Sequence, residues 1–535
     1  MKILLTSINC SYKHKAMGIR WLYVANFNHE VKLKEFNLKQ EYQTMLDYYL
    51  NCACEVIVFS CYIYNVDIIR QLITDLKKNQ KNLRILIGGP EVSFNDDYLE
   101  LGVEAILVGE GERQLYQYLD TGMADGVKTK HYQSKVKRAV SDISFLETLP
   151  SPYFLTFDLP LISKQYFYLE TARGCPFSCS YCFSANDKKI RFFTKEYLEK
   201  IFNKLQHYNI DQVKILDRTF NCNNEHSLMV LELIEQNRSV NSFQMEIVVD
   251  SLSNEILNFL LNKASVEKYR FEVGIQSFNT QTLKAINRNC NLTKVTANTT
   301  ALVDYGYVIH GDLIAGLPYE DLLSFKQSFN KIFQLGLAEI QVGILKLLPE
   351  TPIKNQLTEF SIEYLEESPH TIISNKWFSN NDVKVIELVY RGVEKNYNNK
   401  RLVFSLKPLL KLNNFEPFEL FYQLGNVLAA LRAPYTMHEY FQAIYQAFEN
   451  EDIKYYLALD YYLLFNHKVT KLFNFAISKD EKNKLRTYCL NNNILNVEQF
   501  DKYTTIICNE DVFSIILYRV NERKPFLINV NRELL

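Results

Sequence analysis

The first part of the chain alternates between two hydrophobic rhythms. KILLTSI, VKLKEFNL, EVIVFSCYI, LRILIGG and AILVGE are short runs rich in aliphatic residues, and they read as strands. Between them lie stretches with apolar residues at helical spacing, at 67–78 and 112–119. Strands alternating with helices predict an α/β domain with a doubly wound parallel sheet over residues 1–126. Two of its strand ends carry glycine turns, Gly88-Gly89-Pro90-Glu91 and Gly109-Glu110-Gly111-Glu112. In open sheets of this kind the ligand lies beyond the carboxyl ends of the strands.

The pattern weakens over 127–162, where LPSPYF and DLP mark a linker. It resumes over 163–352, with QYFYLETA, QVKILD, QMEIVV, KYRFEVGI, YVIHGDLIAG and EIQVGILKLL as six strands and helices at 196–208, 226–236 and 322–335. Six such units predict a partial or complete β/α barrel, whose chemistry sits on the loops after the strands. Residues 353–535 are predicted to be a mostly helical domain of unassigned role, with a strand-like tail from about Thr504.

Composition adds bounds. With 535 residues, 47% hydrophobic and 23% charged, the chain is globular and long enough for two to four domains. Sixty basic residues against 61 acidic ones argue against a dedicated nucleic-acid binder. MKILLTSINC has no cleavage pattern, and no apolar run reaches the roughly 20 residues of a membrane span. A cytoplasmic protein without membrane attachment is expected. In such a chain eleven cysteines point to thiols or metal rather than to disulfides.

Three of them crowd into TARGCPFSCSYCFSA: Cys175, Cys179 and Cys182. They fit buried core residues, a fragment of a zinc site, or an iron–sulfur cluster held by three thiolates. Zinc calls for a second couple nearby, whereas Cys222 and Cys290 stand alone. A cubane on three thiolates leaves one iron open to a small molecule.

C-x3-C-x2-C with Tyr181 before the last cysteine, placed after the first barrel strand, resembles the signature of the radical S-adenosylmethionine (SAM) superfamily. The resemblance covers about residues 164–352. It implies a [4Fe–4S] cluster on Cys175, Cys179 and Cys182, SAM on the open iron, reductive cleavage to a 5′-deoxyadenosyl radical, and a low-potential electron donor of flavodoxin or ferredoxin type. It also implies SAM contacts from Tyr181, from Asp217 in ILDRTFN, and from Glu272, Gln276 and Ser277 in FEVGIQS. Gly311 and Gly316 in HGDLIAGLPYED would pack against adenine, and Lys346 is a weaker contact. Glu272 and Gln276, four apart in a strand, are expected on one face. Asp217 equally fits a helix cap, and the two glycines equally fit strand-end turns. Arg173 is read either as a partner for the cluster's negative charge or as a surface residue.

A doubly wound domain ahead of such a barrel resembles the cobalamin-binding domain of the B12-dependent branch. The resemblance assigns corrin contacts to Gly88, Gly89, Pro90, Gly109, Glu110, Gly111 and Glu112, small residues letting the flat ring approach the backbone. The D-x-H-x-x-G element that ligates cobalt elsewhere is absent, since NCSYKHKAMG offers His14 and Gly18 at another spacing and without Asp. His14 is therefore read as a corrin contact or a loop residue.

The whole layout resembles an uncharacterised cobalamin-binding radical SAM subgroup with a long helical C-terminal domain. That implies an enzyme methylating, oxidising or rearranging an unactivated carbon of an unknown substrate, with C-methyl transfer favoured. Two alternatives stand. One is a methylthiotransferase-like enzyme with a second cluster drawn from Cys10, Cys52, Cys54 and Cys61; the other is a non-catalytic cobalamin or redox sensor.

Overall fold

The structure, a computed structural model, describes all residues except 27, 415, 465–471 and 519–523. It divides into two compact units, one formed by residues 1–325, 335–337 and 344–380, the other by 326–334, 338–343 and 381–535.

In the first unit, β1 (Lys2–Asn9), β2 (Glu30–Asn37), β3 (Val56–Ser60), β4 (Arg84–Gly88), β5 (Ala105–Leu107) and β6 (Val127–Lys128) form a sheet of order β2-β1-β3-β4-β5-β6. All neighbours are parallel except β5 and β6. Successive side chains point to opposite faces, and both faces are apolar. Leu4, Ile57 and Ile85 pack with the helices Tyr42–Asn51 and Val66–Asn79, while Ile3, Leu5, Val56 and Val58 pack with Met17–Ala25 and Gly111–Thr121. The chain leaves β1 for β2 on one side and returns to β3 on the other, so strand order reverses at β1. The stretch read as a linker is partly built into this domain. Val127 and Lys128 pair with β5, and Ala139 accepts from the Glu110 N–H at 2.9 Å. Strands of two residues leave no periodicity to read.

The barrel opens with β7 (Phe167–Leu169) and a two-residue ribbon, β8 (Ala172–Arg173) with β9 (Arg191–Phe192), that brackets the cysteine loop. β10 (Ile210–Ile215), β11 (Val240–Ile247), β12 (Tyr269–Gln276) and β13 (Val308–Ala315) follow, and β7, β10, β11, β12 and β13 lie side by side and parallel. The last predicted strand is β14 (Glu339–Ile344). The helices between begin on polar caps: the Thr194, Asn223, Ser253 and Asn291 side chains accept from backbone N–H groups of the first turn. After β14 the chain adds the short pair β15 (Glu363–Tyr364) and β16 (Ile372–Ser374), and 353–380 belongs to this unit rather than to a separate helical domain.

The second unit is mostly helical and ends in an antiparallel sheet, β17 (Thr504–Cys508), β18 (Val512–Leu517) and β19 (Phe526–Asn531), over a core of Leu485, Phe500, Phe513 and Ile515. Buried Asp460 accepts the backbone N–H groups of Val403, Phe404 and Ser405. Among the described residues no helix is long and apolar enough to cross a membrane.

Candidate active site

A cavity of about 660 Å³ opens beyond the strand ends of the N-terminal sheet. Gly88, Gly89 and Pro90 line it, as do the residues of the Gly109–Glu112 turn. So do Gly174, Phe183 and Ser184, which flank the cysteines, and Lys214, Gln244, Glu246 and Glu272 of the barrel. Its size is in the range of a ligand site.

The cysteine loop is held at several points. The Cys175 N–H donates to the Asp187 carbonyl at 2.8 Å, the Ser180 N–H to the Ile286 carbonyl at 2.9 Å, and the Ile353 N–H to the Ser180 carbonyl at 2.9 Å. Cys175 and Cys179 are buried, Cys182 is half-buried, and all three are free thiols. Burial pushes the Cys179 thiol up, as do Cys182 and Cys175, while Arg288 pulls it down. Arg288 points Nη1 at the Cys179 sulfur at 3.8 Å and also bonds the Gly274 carbonyl. Its Nε is buried without a partner. Among the described residues no three His, Cys, Asp or Glu side chains close on a single metal ion. A cubane instead takes one thiolate per iron, so three neighbouring free thiols beside a guanidinium fit that group.

Asp217 has another task than the one expected. Only 2% exposed, it accepts the Thr171 N–H at 2.7 Å and the Ala172 N–H at 3.0 Å through Oδ1, and the Thr171 hydroxyl through Oδ2. It braces the start of the cysteine segment and is presented neither to a ligand nor to a helix; the cap of the following helix is Asn223. Burial raises its carboxyl to about 7 against these three donors. The Thr171 hydroxyl also meets His226 Nε2 at 3.1 Å, and burial lowers that imidazole to about 4. Asp217→Ala strands two buried N–H groups, each costing about 1–3 kcal/mol. A loss of about 3 kcal/mol is expected, measured by denaturant unfolding, with Asp217→Asn milder because it keeps an acceptor.

The other SAM candidates differ in how they are presented. Tyr181 is half-buried against the cluster of Leu345, Ile353 and Ile372. Glu272 lines the cavity and accepts from the Gln244 amide. Gln276 does not share its face by simple alternation: the pairing of β12 with β13 shifts between Gly274 and Gln276, and Gln276 takes φ +72°. Gln276 is 8% exposed, and its Oε1 has no partner. Ser277 is fully buried, donating to Glu320 at 2.6 Å. Gly311 lies on the buried face of β13 with Ile309 and Leu313, and Gly316 follows that strand, its carbonyl accepting from Asn375. Lys346 is exposed.

Of the carboxylates on β11–β13 the sequence pattern singles out Glu272 but not Glu246 or Asp312. Burial and the charges of Glu272 and Glu246 push Asp312 up to about 7, Arg288 opposing. Burial does the same to Glu246, which opens onto the cavity, with Arg218 opposing and Glu272 adding to the rise. An unfolded Asp titrates near 4, so the folded chain holds extra protons between about 4 and 7. Stability from Asp312 is complete below that window and is lost as pH rises through about 7. The thermal midpoint should decline across this window, and Asp312→Asn should flatten the decline.

In the N-terminal domain an added Cβ at Gly89 would lie 2.2 Å from the Cys61 carbonyl oxygen, and one at Gly109 2.3 Å from that of Ala139. Both have positive φ, +116° and +105°. These glycines are demanded by the chain's own packing, and at Gly88, Gly89, Gly109 and Gly111 the cavity wall is backbone. Gly88, Pro90 and Gly111 share that wall. Glu110 and Glu112 line it too, but their carboxylates are engaged by Arg173. Arg173 is therefore buried among carboxylates, neither paired with the cysteines nor on the surface. His14 lines the cavity with Nδ1 2.5 Å from the Tyr168 hydroxyl, and burial and Lys214 lower its pKa. Backbone exposed at these glycines beside a cavity of this size fits a flat macrocycle. Of the cysteines named for a second cluster, Cys61 is in the domain core, Cys52 and Cys54 pack against that core, and Cys10 lies at the cavity.

Known proteins match this arrangement. The model of the radical SAM superfamily matches residues 169–332, and that of the B12 binding domain residues 7–119. A third, described only as a protein of unknown function, matches 358–518. The cobalamin-dependent radical SAM methyltransferase TokK of Streptomyces tokunonensis is 24% identical over 326 residues, 56% of this chain and 48% of that protein. The chain thus spans about half the length of the curated relatives it matches first. Among solved structures, the radical SAM methyltransferase TsrM of Kitasatospora setae, with cobalamin and a [4Fe–4S] cluster bound, aligns with TM-score 0.56 at 15% identity over 67% of this chain and 78% of that one. The cobalamin-dependent SAM radical enzyme OxsB aligns with TM-score 0.59 at 14% identity over 91% and 79%.

The barrel and its cysteine loop are those of a radical SAM protein. With the domain in front of it, the chain joins a radical SAM domain to a B12-binding domain, and the cofactors that go with these two domains are an iron–sulfur cluster, SAM and cobalamin.

Proposed function

We propose that the protein is a B12-dependent radical SAM enzyme that modifies an unactivated carbon, with methyl transfer as the favoured outcome. One observation carries the reading: residues flanking the three free thiols line the same cavity as the glycine turns of the B12-binding domain. When bound, the cluster with SAM supplies a 5′-deoxyadenosyl radical, and methylcobalamin supplies a methyl group.

The chain's own part is placement and charge. Cys175, Cys179 and Cys182 would hold the cluster, with the Arg288 guanidinium beside Cys179 offsetting its negative charge. The unpartnered Gln276 Oε1 and the Glu272 carboxylate at the cavity would help to orient SAM. Glu246 and Asp312, both raised by burial to about 7, would exchange protons near the barrel interior around neutral pH. The apolar body of Met245 and the ring of Phe183 at the cavity wall exclude water around a reactive carbon centre. A methyltransferase reading is further supported by the resemblance to TokK. The electron would come from a flavodoxin- or ferredoxin-type donor.

Anaerobic reconstitution of the full chain with iron, sulfide and hydroxocobalamin tests this. About four iron atoms and about one cobalt per chain, with SAM converted to 5′-deoxyadenosine, are expected. About eight iron atoms would favour the methylthiotransferase alternative, and cobalt uptake without SAM cleavage would favour a sensor.

A further inference from the structure

The turn that walls the B12 cavity and the loop that carries the thiols are tied together by a buried ion network. Arg173 immediately precedes the loop at Gly174, and its Nη1 meets Glu110 Oε2 at 3.1 Å and Glu112 Oε1 at 2.9 Å. Arg191, its partner across the β8–β9 ribbon, grips both oxygens of Glu110 at 2.7 and 2.9 Å. Through Nη2 Arg191 also reaches Asp187 at 2.7 Å, and the carbonyl of Asp187 holds the Cys175 N–H. Both arginine side chains are only 9% exposed.

A surface pair would contribute little, but buried charge pairs with two-pronged geometry are rigid, and removing one partner is strongly destabilising. Glu110 is the hub. Its two oxygens receive both guanidiniums and the Ser141 N–H at 2.8 Å. The loop's tether on this side therefore ends on the B12-binding domain, not on the barrel.

We propose that Arg173, Arg191 and Glu110 are positioning residues. They fix the cysteine loop to the Gly109–Glu112 turn and so set the separation between the cluster and the corrin. The statement about separation rests on the function proposed above. Radical generation and methyl delivery must meet at one substrate carbon, and an error of about 1 Å in such an alignment can cost a hundredfold in rate.

Two measurements on the full chain test it. In the cofactor-free protein, amide hydrogen exchange across residues 171–192 should quicken by about tenfold or more in Glu110→Gln. It should stay native in the control Glu104→Gln, whose carboxylate pairs with Arg84 at 2.7 Å elsewhere in the same domain. In loaded protein, the magnetic coupling between Co(II) and the reduced cluster should be sharp in the native chain and broadened or shifted in Glu110→Gln. Arg191→Lys keeps the charge but loses the fork; it should move both readings the same way by less, and it serves if Glu110→Gln does not fold. Native exchange and native coupling in both variants would overturn the positioning role, and so would faster exchange spread evenly over the whole unit. A native chain that takes up no cobalt overturns the B12 reading and the separation claim together. A doubly loaded chain whose variants keep the native coupling overturns only the positioning claim.

Discussion

Cys175→Ala, Cys179→Ala or Cys182→Ala should each reduce iron from about four atoms per chain to a small residue after reconstitution. Each should also lower 5′-deoxyadenosine formation by at least ~10³-fold. The reason lies in the donor count. Losing one thiol leaves the cluster with two of its three loop ligands. The loop is also held by backbone bonds at Cys175 and Ser180, so a substituted loop cannot slide to bring in another residue. Cys222→Ala and Cys290→Ala are the controls. Both thiols are half-buried outside the loop and should leave iron content and SAM cleavage native. Iron retained by Cys175→Ala, or lost in Cys290→Ala, would reassign the ligands.

Gly89→Ala should damage the B12-binding domain more than any other single-methyl addition at its turns. The new Cβ would sit 2.2 Å from the Cys61 carbonyl oxygen, and that oxygen belongs to backbone that cannot rotate away. The positive φ adds strain of its own, so a loss of about 3 kcal/mol or more is expected. Unfolding by heat or denaturant reads that loss. Cobalamin affinity should fall at least about tenfold, because the turn must shift outward and Gly89 lines the cavity. Iron loading per folded chain should stay native, since the thiols sit on a loop of the barrel sheet. A variant with native stability and native cobalamin binding would show that the turn has slack that the structure denies.

Much of this architecture was legible from pattern. The strands of the N-terminal sheet and the barrel appear where the apolar runs lie, because a parallel strand covered on both faces must be apolar nearly throughout. The cysteine spacing and the two glycine turns could be read for the same kind of reason: each is a local requirement met by neighbours in sequence. Features that depend on distant residues could not be read. Asp217 looked like a ligand contact or a cap, and only folding shows it receiving the backbone of Thr171 and Ala172. Arg288, in NRNC, carries no motif, and its place beside Cys179 comes from a chain separation of 109 residues. The expected common face of Glu272 and Gln276 failed because a bulge interrupts the strand between them.

The sequence by itself determined the fold class, the order of the two principal domains and the spacing of the loop's thiols, since strand and helix periodicity and cysteine spacing are properties of contiguous residues. Tertiary structure alone decided which charged groups face a ligand and which are paired with each other. From the sequence Glu110 and Glu112 are expected as corrin contacts, and Arg173 as a partner of the cluster's charge or a surface residue. Burial makes an unpaired charge too costly, so in the fold they find one another, and the turn of one domain holds the loop of the next.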